Sequence, residues 1–200
     1  MKVLLINGSP HEKGCTYTAL SLIAGELKAQ GIETEILHVG GQPVGGCIGW
    51  NGCVFGGVVN EAIEKAKTAD AFVFGSPVHY ASAAGNMASF MDRLAYAGGK
   101  YLAYKPAAVC CSARRAGTTS TLDQLVKYPQ FFHMPLVNGS YWAMVHGSNP
   151  EQVLQDAEGC AVMQELGRNM AWLLHCIEAG KAAGIDHPQN PPRPMTSFIR

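Results

Sequence analysis

The amino-acid sequence predicts a doubly wound α/β fold: a five-stranded parallel sheet in the strand order 2-1-3-4-5, with helices on both faces. Short apolar runs alternate with longer stretches of 3.6-residue periodicity, which is the pattern of βαβ units. The chain of 200 residues, 48% of them hydrophobic, is long enough to bury one such domain and short for two. We therefore expect a single domain over residues 1–183 and an extended tail over 184–200.

Five short apolar runs predict the strands, and the first of them begins at Lys2. The predicted strands cover residues 2–7, 32–39, 71–75, 106–112 and 136–145. Apolar residues at helical spacing predict the helices that alternate with them: one before Gly31, and others over 58–67, about 87–97, 121–132 and 150–179. In this strand order the loops after strands one and three lie side by side, so residues 8–16 should face residues 76–82.

The tail contains several prolines, which exclude a helix and favour an extended chain. They are Pro188, Pro191, Pro192 and Pro194. Because its last residues, Thr196–Arg200, include apolar side chains, the tail could cross onto a neighbouring subunit. A frayed terminus is the alternative.

Charge and cysteine content bound the function. Lys plus Arg and Asp plus Glu number 15 each and no basic run occurs, which argues against nucleic acid or an anionic membrane as a partner. The apolar run Val3–Ile6 is too short for a signal peptide or a membrane span, so we expect a cytoplasmic protein that binds a small ligand. Seven scattered cysteines indicate reduced thiols rather than a disulfide framework.

The loop Gly8–Thr16, with the sequence GSPHEKGCT, joins the first strand to the first helix. Such a loop offers free backbone N–H groups and the positive end of the helix dipole to an anion. Lys13 precedes Gly14 instead of following it, so the loop is not a Walker A motif, and it lacks the glycines of a dinucleotide fingerprint. A loop with hydroxyl groups and few glycines suits one terminal monophosphate. An ordinary βα turn remains the alternative.

Three segments together resemble the NAD(P)H-dependent FMN reductase family. They are G-S-P-x-x-x-G-x-T in the first loop, G-S-P-V-x-Y at residues 75–80 and F-M-D-R at residues 90–93. This family is a branch of the flavodoxin-like proteins that also includes the iron–sulfur flavoproteins. The resemblance implies a bound FMN, NAD(P)H as the electron donor, and a homodimer or homotetramer.

The resemblance also assigns residues to the two ends of the FMN. The residues around its phosphate would be Ser9, His11, Cys15, Thr16 and Tyr17. Those at the edge of its isoalloxazine ring would be Pro77, Val78, His79, Tyr80 and Ala81. The family often has arginine at the position of His11 and asparagine at that of Cys15, so phosphate affinity should be modest. Alternatively, His79 and Tyr80 only cap the third strand.

A third loop, after the fourth predicted strand, should open at the same edge of the sheet. Its candidate residues are Ser112, Ala113, Arg114, Arg115 and Gly117. Reduced flavin carries negative charge near N1 and O2, which either arginine or the Gly117 amide could stabilise. Either arginine could instead bind the 2′-phosphate of NADPH, or the pair could be solvated.

Cys47 and Cys53 lie in the connection where iron–sulfur flavoproteins carry a compact four-cysteine motif. Trp50 stands at the middle position and no cysteine occurs between Val54 and Cys110, so we predict no cluster and no metal site. Cys47 and Cys53 are then either buried remnants that pack beside Trp50 or a redox-responsive pair. Cys110 and its neighbour Cys111 should point to opposite faces of a strand, which makes a bond between them improbable.

The function predicted is an FMN-dependent NAD(P)H oxidoreductase that passes two electrons to a small acceptor: a flavin, a quinone, a nitro compound or an azo compound. The cofactor carries this chemistry, so no catalytic side chain is required. His79 or Tyr80 could supply a proton to a quinone oxygen. The alternatives are a flavodoxin-like electron carrier and an FMN-binding redox sensor.

Overall fold

The computed structural model describes residues 1–50 and 53–197. Within these residues the strands are β1 Lys2–Asn7, β2 Glu33–His38, β3 Ala71–His79, β4 Ser82–Ala83, β5 Ala107–Ala113 and β6 Met144–His146. The helices are α1 Cys15–Ala29, α2 Val58–Thr68, α3 Gly85–Gly98, α4 Thr118–Phe131, α5 Pro150–Val153 and α6 Ala157–Ala182.

The sheet has the order β2-β1-β3-β5-β6, and all four pairings along it are parallel. The two-residue strand β4 lies off this path and pairs antiparallel with β3. When β4 is set aside, the order is the predicted 2-1-3-4-5, and the predicted fold class is confirmed.

The core has one cluster on each face of the sheet, because successive strand residues point to opposite sides. Val3 and Leu5 of β1 belong to the cluster that α1 and α6 cover. Leu4 and Ile6 belong to the cluster that α2 and α3 cover. This sandwich leaves the carboxyl ends of the parallel strands free to carry loops.

Two predicted elements are wrong in extent, and contacts with α6 explain the first error. The predicted strand over 136–145 is reduced to the three residues of β6 and an isolated bridge between Ala107 and Leu136. The segment between them leaves the sheet because α6 holds it: Asn169 donates to the Asn138 carbonyl at 2.8 Å, and the Ser140 amide donates to Glu165 at 2.8 Å.

The predicted helix over 150–179 is two helices, α5 and α6. Asp156 interrupts it, since its carboxylate accepts from the Gly159 amide at 3.0 Å and starts α6 anew. Two smaller differences are that α4 begins at Thr118, before the predicted 121, and that β3 continues past the predicted 75 to His79.

Residues 184–197 form neither helix nor strand. They contact their own chain, where the His187 ring stacks on Tyr104 at 4.5 Å and the Asn190 side chain donates from Nδ2 to the Tyr104 hydroxyl at 2.6 Å. The predicted crossing onto a neighbour stays a prediction, and Phe198–Arg200 lie outside the described residues. No helix in the described part combines the length and apolarity needed to cross a membrane.

Candidate functional site

The first loop is held in shape by Asn7, the buried last residue of β1. The Asn7 side chain donates to the Glu12 carbonyl at 2.9 Å and accepts from the Ser9 amide at 3.1 Å. Ser9 is itself buried, and its hydroxyl accepts from the His11 amide at 3.1 Å. Asn7 was not among the predicted site residues, although its place at the end of the strand is visible in the sequence.

The end of β2 supports the same loop from the side. The His38 ring nitrogen Nε2 lies 2.7 Å from the Ser9 carbonyl oxygen. Gly40 packs so closely that a Cβ there would lie 2.2 Å from that oxygen. Neither residue is predictable as part of the site from the sequence, because nothing local shows that the end of β2 contacts this loop.

Three helices that begin at the carboxyl edge of the sheet have uncapped N-termini. The residues before α1, α3 and α4 are Gly14, Ala84 and Gly117; none makes a side-chain cap, and no acidic residue stands in the first turn of these helices. By contrast, the side chains of Asn149 and Asp156 cap α5 and α6. The free N–H groups and the positive dipole ends of α1, α3 and α4 therefore lie at the same edge of the sheet, and they would favour an anionic ligand there.

The predicted phosphate residues differ in exposure. Thr16 is buried in the first turn of α1, with its hydroxyl 2.8 Å from the hydroxyl of Ser112. His11 is exposed and Tyr17 is half-buried. The half-buried Cys15 thiol donates to the Gly147 carbonyl at 3.5 Å, and burial raises its pKa, so this thiol is neutral.

A strained turn joins β3 to β4. Tyr80 and Ala81 both adopt left-handed backbone angles, with φ of 51° and 58°, which non-glycine residues rarely do. Helix α4 holds this turn: the Ser120 hydroxyl donates to the Ala81 carbonyl at 2.7 Å, and Gln124 accepts from the Ala83 amide at 2.9 Å. Strain fixed by its surroundings in this way is typical of ligand-binding turns. Ser120 and Gln124 were not predicted.

The other residues predicted to edge the flavin ring lie at the end of β3. Pro77 and Val78 are half-buried, and His79 is exposed. The Tyr80 side chain is fully exposed, at 104% of its reference area. Polar and aromatic groups at this edge are thus accessible to a ligand.

The third loop contacts the second at Gly117. Gly117 has a φ of 98°, and a Cβ there would lie 2.7 Å from the Ala81 Cα, so this position requires glycine. Ser112 and Ala113 are buried at the end of β5, while Arg114 and Arg115 are exposed. No salt bridge of either arginine occurs within the described residues.

The structure therefore brings the three predicted loops together. Gly8 at the start of the first loop donates its amide to the Gly75 carbonyl of β3 at 2.9 Å. The pair Thr16–Ser112 joins the first loop to the third, and the close approach of Gly117 to the β3–β4 turn joins the third to the second.

Of the two interpretations of Cys47 and Cys53, the one that buries both beside Trp50 is wrong. Cys47 is exposed, Cys53 is half-buried, and Trp50 is 65% exposed. The Cys53 sulfur packs on Arg93 of α3, while Asn51 and Gly52 lie outside the described residues. Within the described part of the chain, no group of three or more His, Cys, Asp or Glu side chains converges as a metal site would require. The prediction that the chain has no metal site stays a prediction.

Solved structures of other proteins share this fold. A flavone reductase has a TM-score of 0.69 at 18% identity, covering 89% of this chain and 64% of that one. The NAD(P)H:acceptor oxidoreductase FerB of Paracoccus denitrificans has a TM-score of 0.67 at 14% identity, covering 88% and 97%. An archaeal flavodoxin has a TM-score of 0.61 at 14% identity, covering 88% and 99%. The fold is flavodoxin-like.

Sequence comparison gives the family. Residues 1–149 match the family described as NADPH-dependent FMN reductase, and the chain belongs to it. An iron–sulfur flavoprotein of Methanocaldococcus jannaschii is 28% identical over 192 residues, which are 89% of this chain and 100% of that protein. One from Archaeoglobus fulgidus is 35% identical over 98 residues, 46% of this chain and 48% of that protein. The chain is a flavoprotein oxidoreductase, and FMN is its cofactor.

Proposed function

We propose that this protein is an FMN-dependent NAD(P)H oxidoreductase that passes two electrons from a nicotinamide to a small acceptor. The observation that carries this proposal is the junction of three loops at the carboxyl ends of β1, β3 and β5. Membership of the NADPH-dependent FMN reductase family supports it. The acceptor classes that suit an exposed flavin are flavins, quinones, nitro compounds and azo compounds.

The phosphate of FMN would bind at the start of α1. The buried hydroxyls of Ser9 and Thr16 and the free amides of the first helical turn would donate to it, with the exposed Lys13 adding positive charge. The neutral Cys15 thiol suits this position, because a thiolate would repel the phosphate. His11 is exposed and free to approach the phosphate from solvent.

The isoalloxazine ring would lie between the second and third loops, against residues 77–81 and 112–117. When bound, FMN supplies a ring that accepts a hydride from the nicotinamide. The chain supplies position and charge: amides of the strained turn would meet the polar rim of the ring, and Arg114, Arg115 or the Gly117 amide would offset negative charge there. The exposed His79 and Tyr80 could donate a proton to an acceptor oxygen.

Anaerobic mixing of the FMN-loaded protein with NADPH or NADH tests this function. Rapid loss of the oxidised flavin absorbance, restored when a quinone is added, is the expected result. An FMN-loaded protein that neither nicotinamide bleaches, but that a one-electron donor reduces, would instead be an electron carrier.

We further propose that the chain is a homodimer or homotetramer. An apolar groove between α3 and α4 is lined by Tyr96, Tyr128, Phe131 and Phe132. Tyr96 is 56% exposed and Phe131 is 61% exposed. Large aromatic side chains gathered on one face are typical of a subunit contact.

A further inference from the structure

A buried cation of α3 has an unusual partner in the connection between β2 and α2. Arg93 of α3 is only 6% exposed. Its guanidinium donates to the Cys53 sulfur twice, from Nε at 3.1 Å and from Nη2 at 2.8 Å, and Nη2 also donates to the Gly56 carbonyl at 3.1 Å. Within the described residues, none of the salt bridges includes Arg93.

The Cys53 sulfur accepts two hydrogen bonds from one guanidinium, as a carboxylate usually does. A buried guanidinium is costly without a negatively charged or strongly accepting partner. Because a guanidinium has donors and no acceptor, the sulfur must accept both hydrogen bonds, which a thiolate does better than a thiol. The thiolate is also the form of cysteine that acts as a nucleophile.

The cavity at Cys53 has a second thiol in its wall. Cys47 lines the same small cavity as Cys53 and Arg93, together with the aromatic rings of Trp50 and Phe55. Cys47 is exposed, whereas Cys53 is half-buried, and both are free thiols. In the single chain, one thiol is therefore held by a cation while the other is open to solvent. Cys47 also lines the aromatic groove of the proposed subunit contact, so the tests below use protein diluted to monomers.

We propose that Cys53 and Cys47 form a dithiol–disulfide couple, with Cys53 as the attacking and Cys47 as the resolving cysteine, that exchanges with low-molecular-weight disulfides. The Cys53 thiolate attacks one sulfur of the small disulfide, forms a mixed disulfide and releases one thiolate. The Cys47 thiolate then attacks the Cys53 sulfur and releases the second. The two cysteines lose two electrons, and the small disulfide gains them as two thiols. This couple does not depend on the proposed reductase activity.

Four other cysteines are poor competitors for this reaction. Burial raises the pKa of Cys15, Cys110, Cys111 and Cys160, in Cys111 to about 12, which keeps these thiols protonated. Cys176, in α6, is exposed and serves as the internal reference.

Competitive alkylation of the unmodified protein tests the first half of the proposal. With limiting iodoacetamide near neutral pH, we expect Cys53 to be labelled at least about tenfold faster than Cys176, as peptide mass spectrometry would measure. If solvent access alone set the labelling rates, Cys176 would be labelled faster than Cys53, because Cys53 is less exposed. Labelling rates that follow exposure would overturn the proposal.

Incubation with glutathione disulfide tests the second half. The peptide that carries both Cys47 and Cys53 should lose two hydrogens as the disulfide forms within it. The Cys47→Ser variant should keep a glutathione adduct on Cys53. The Cys176→Ser variant should behave as the wild type. Arg93→Lys, checked for folding by circular dichroism, should slow the adduct at Cys53. A wild-type adduct at Cys53 that Cys47 never resolves, or iron bound at these cysteines after anaerobic purification, would contradict the couple. The readout is thiol mass, so it is separate from flavin reduction.

Discussion

At the scale of single residues, a few side chains decide whether the three loops meet. Asn7 shapes the first loop from within, Thr16 joins it to Ser112, and Gly117 permits the third loop to approach the β3–β4 turn. The contacts of Asn7 are local, whereas those of Thr16 and Gly117 join elements that are distant in sequence. Their substitution should therefore affect cofactor binding more than the stability of any one helix.

We expect Thr16→Val to weaken FMN binding about tenfold. The change keeps the shape of the side chain but removes its buried hydroxyl, so both Ser112 and the phosphate lose a hydrogen-bond partner. Fluorescence titration of the apoprotein with FMN would measure this. Thr68→Val, at the exposed end of α2, is the matched control and should bind FMN as the wild type does. Equal affinities of the two variants would place the phosphate elsewhere.

We expect Gly117→Ala to lower both FMN affinity and thermal stability. A Cβ here meets the Ala81 Cα at 2.7 Å, and a φ of 98° is unfavourable for alanine, so the cost should be about 1–3 kcal/mol. Gly25→Ala in α1 is the control, since a Cβ there meets no described atom within 4 Å. That change should leave stability equal or higher by up to about 1 kcal/mol. Gly117→Ala with an unchanged melting temperature would contradict the close contact.

The residues that the sequence can predict are those whose position follows from a loop between a strand and a helix, such as Ser9 and Thr16. Their contact with FMN stays a proposal. Gln124 could not be predicted, since its partner, the Ala83 amide, is 41 positions away. His38 was missed for the same reason, because it contacts the first loop only after β2 has paired with β1.

At the scale of elements, the strands and helices that follow local periodicity were predicted well. The continuous apolar run of β1, which is buried on both faces of the sheet, and the apolar face of α1 are both properties of the sequence itself. The segment over 136–143 could not be placed, because its departure from the sheet depends on Glu165 and Asn169 of α6. The break between α5 and α6 depends on the N-cap of α6, Asp156. An aspartate is a typical N-cap residue, but the apolar periodicity continues across it and predicts a single helix.

An ion-pair group joins β1, β2 and α2, and it makes stability depend on pH. The Glu35 carboxylate lies 2.8 Å from the Lys2 ammonium and 2.7 Å from the Lys65 ammonium. Both hydrogen bonds, of which the one from Lys2 has the larger effect, hold the pKa of the Glu35 carboxyl below its usual 4.5. A lowered carboxyl pKa stabilises the fold above pH 4.5, and that stabilisation is lost as pH falls through the folded-state pKa.

We expect Glu35→Gln to lower the urea midpoint near neutral pH and to leave it unchanged in acid, where the wild-type carboxyl is protonated. Glu64→Gln, which removes one exposed pair on the surface of α2, should change the midpoint little at either pH. Urea unfolding followed by circular dichroism at the two pH values makes the comparison. If Glu35→Gln lowered the urea midpoint equally at both pH values, the charge of Glu35 would not be the source of the stabilisation.

At the scale of the whole molecule, the loop site and the aromatic groove occupy different parts of the surface. The site follows the carboxyl ends of the central strands, whereas the groove lies between α3 and α4 on one face of the sheet. Assembly through the groove would therefore leave the loops open to a nicotinamide and an acceptor.

We expect Tyr96→Glu to convert the oligomer to monomers, because a carboxylate in an apolar contact is costly to bury. Trp172→Glu on α6, which covers the opposite face, is the control; Trp172 is 68% exposed and should tolerate the change. Sedimentation velocity would give the masses. Dissociation by Trp172→Glu but not by Tyr96→Glu would move the contact to the other face.

The central claim is that the loop before α1 holds the phosphate of FMN, and a comparison of FMN with riboflavin tests it most directly. Riboflavin has the same ring and no phosphate, so titrations of the apoprotein with each isolate the contribution of this loop. We expect FMN to bind about 100-fold more tightly than riboflavin, as several charge-assisted hydrogen bonds would require, and Thr16→Val to reduce that ratio. Equal affinities for FMN and riboflavin would contradict the account.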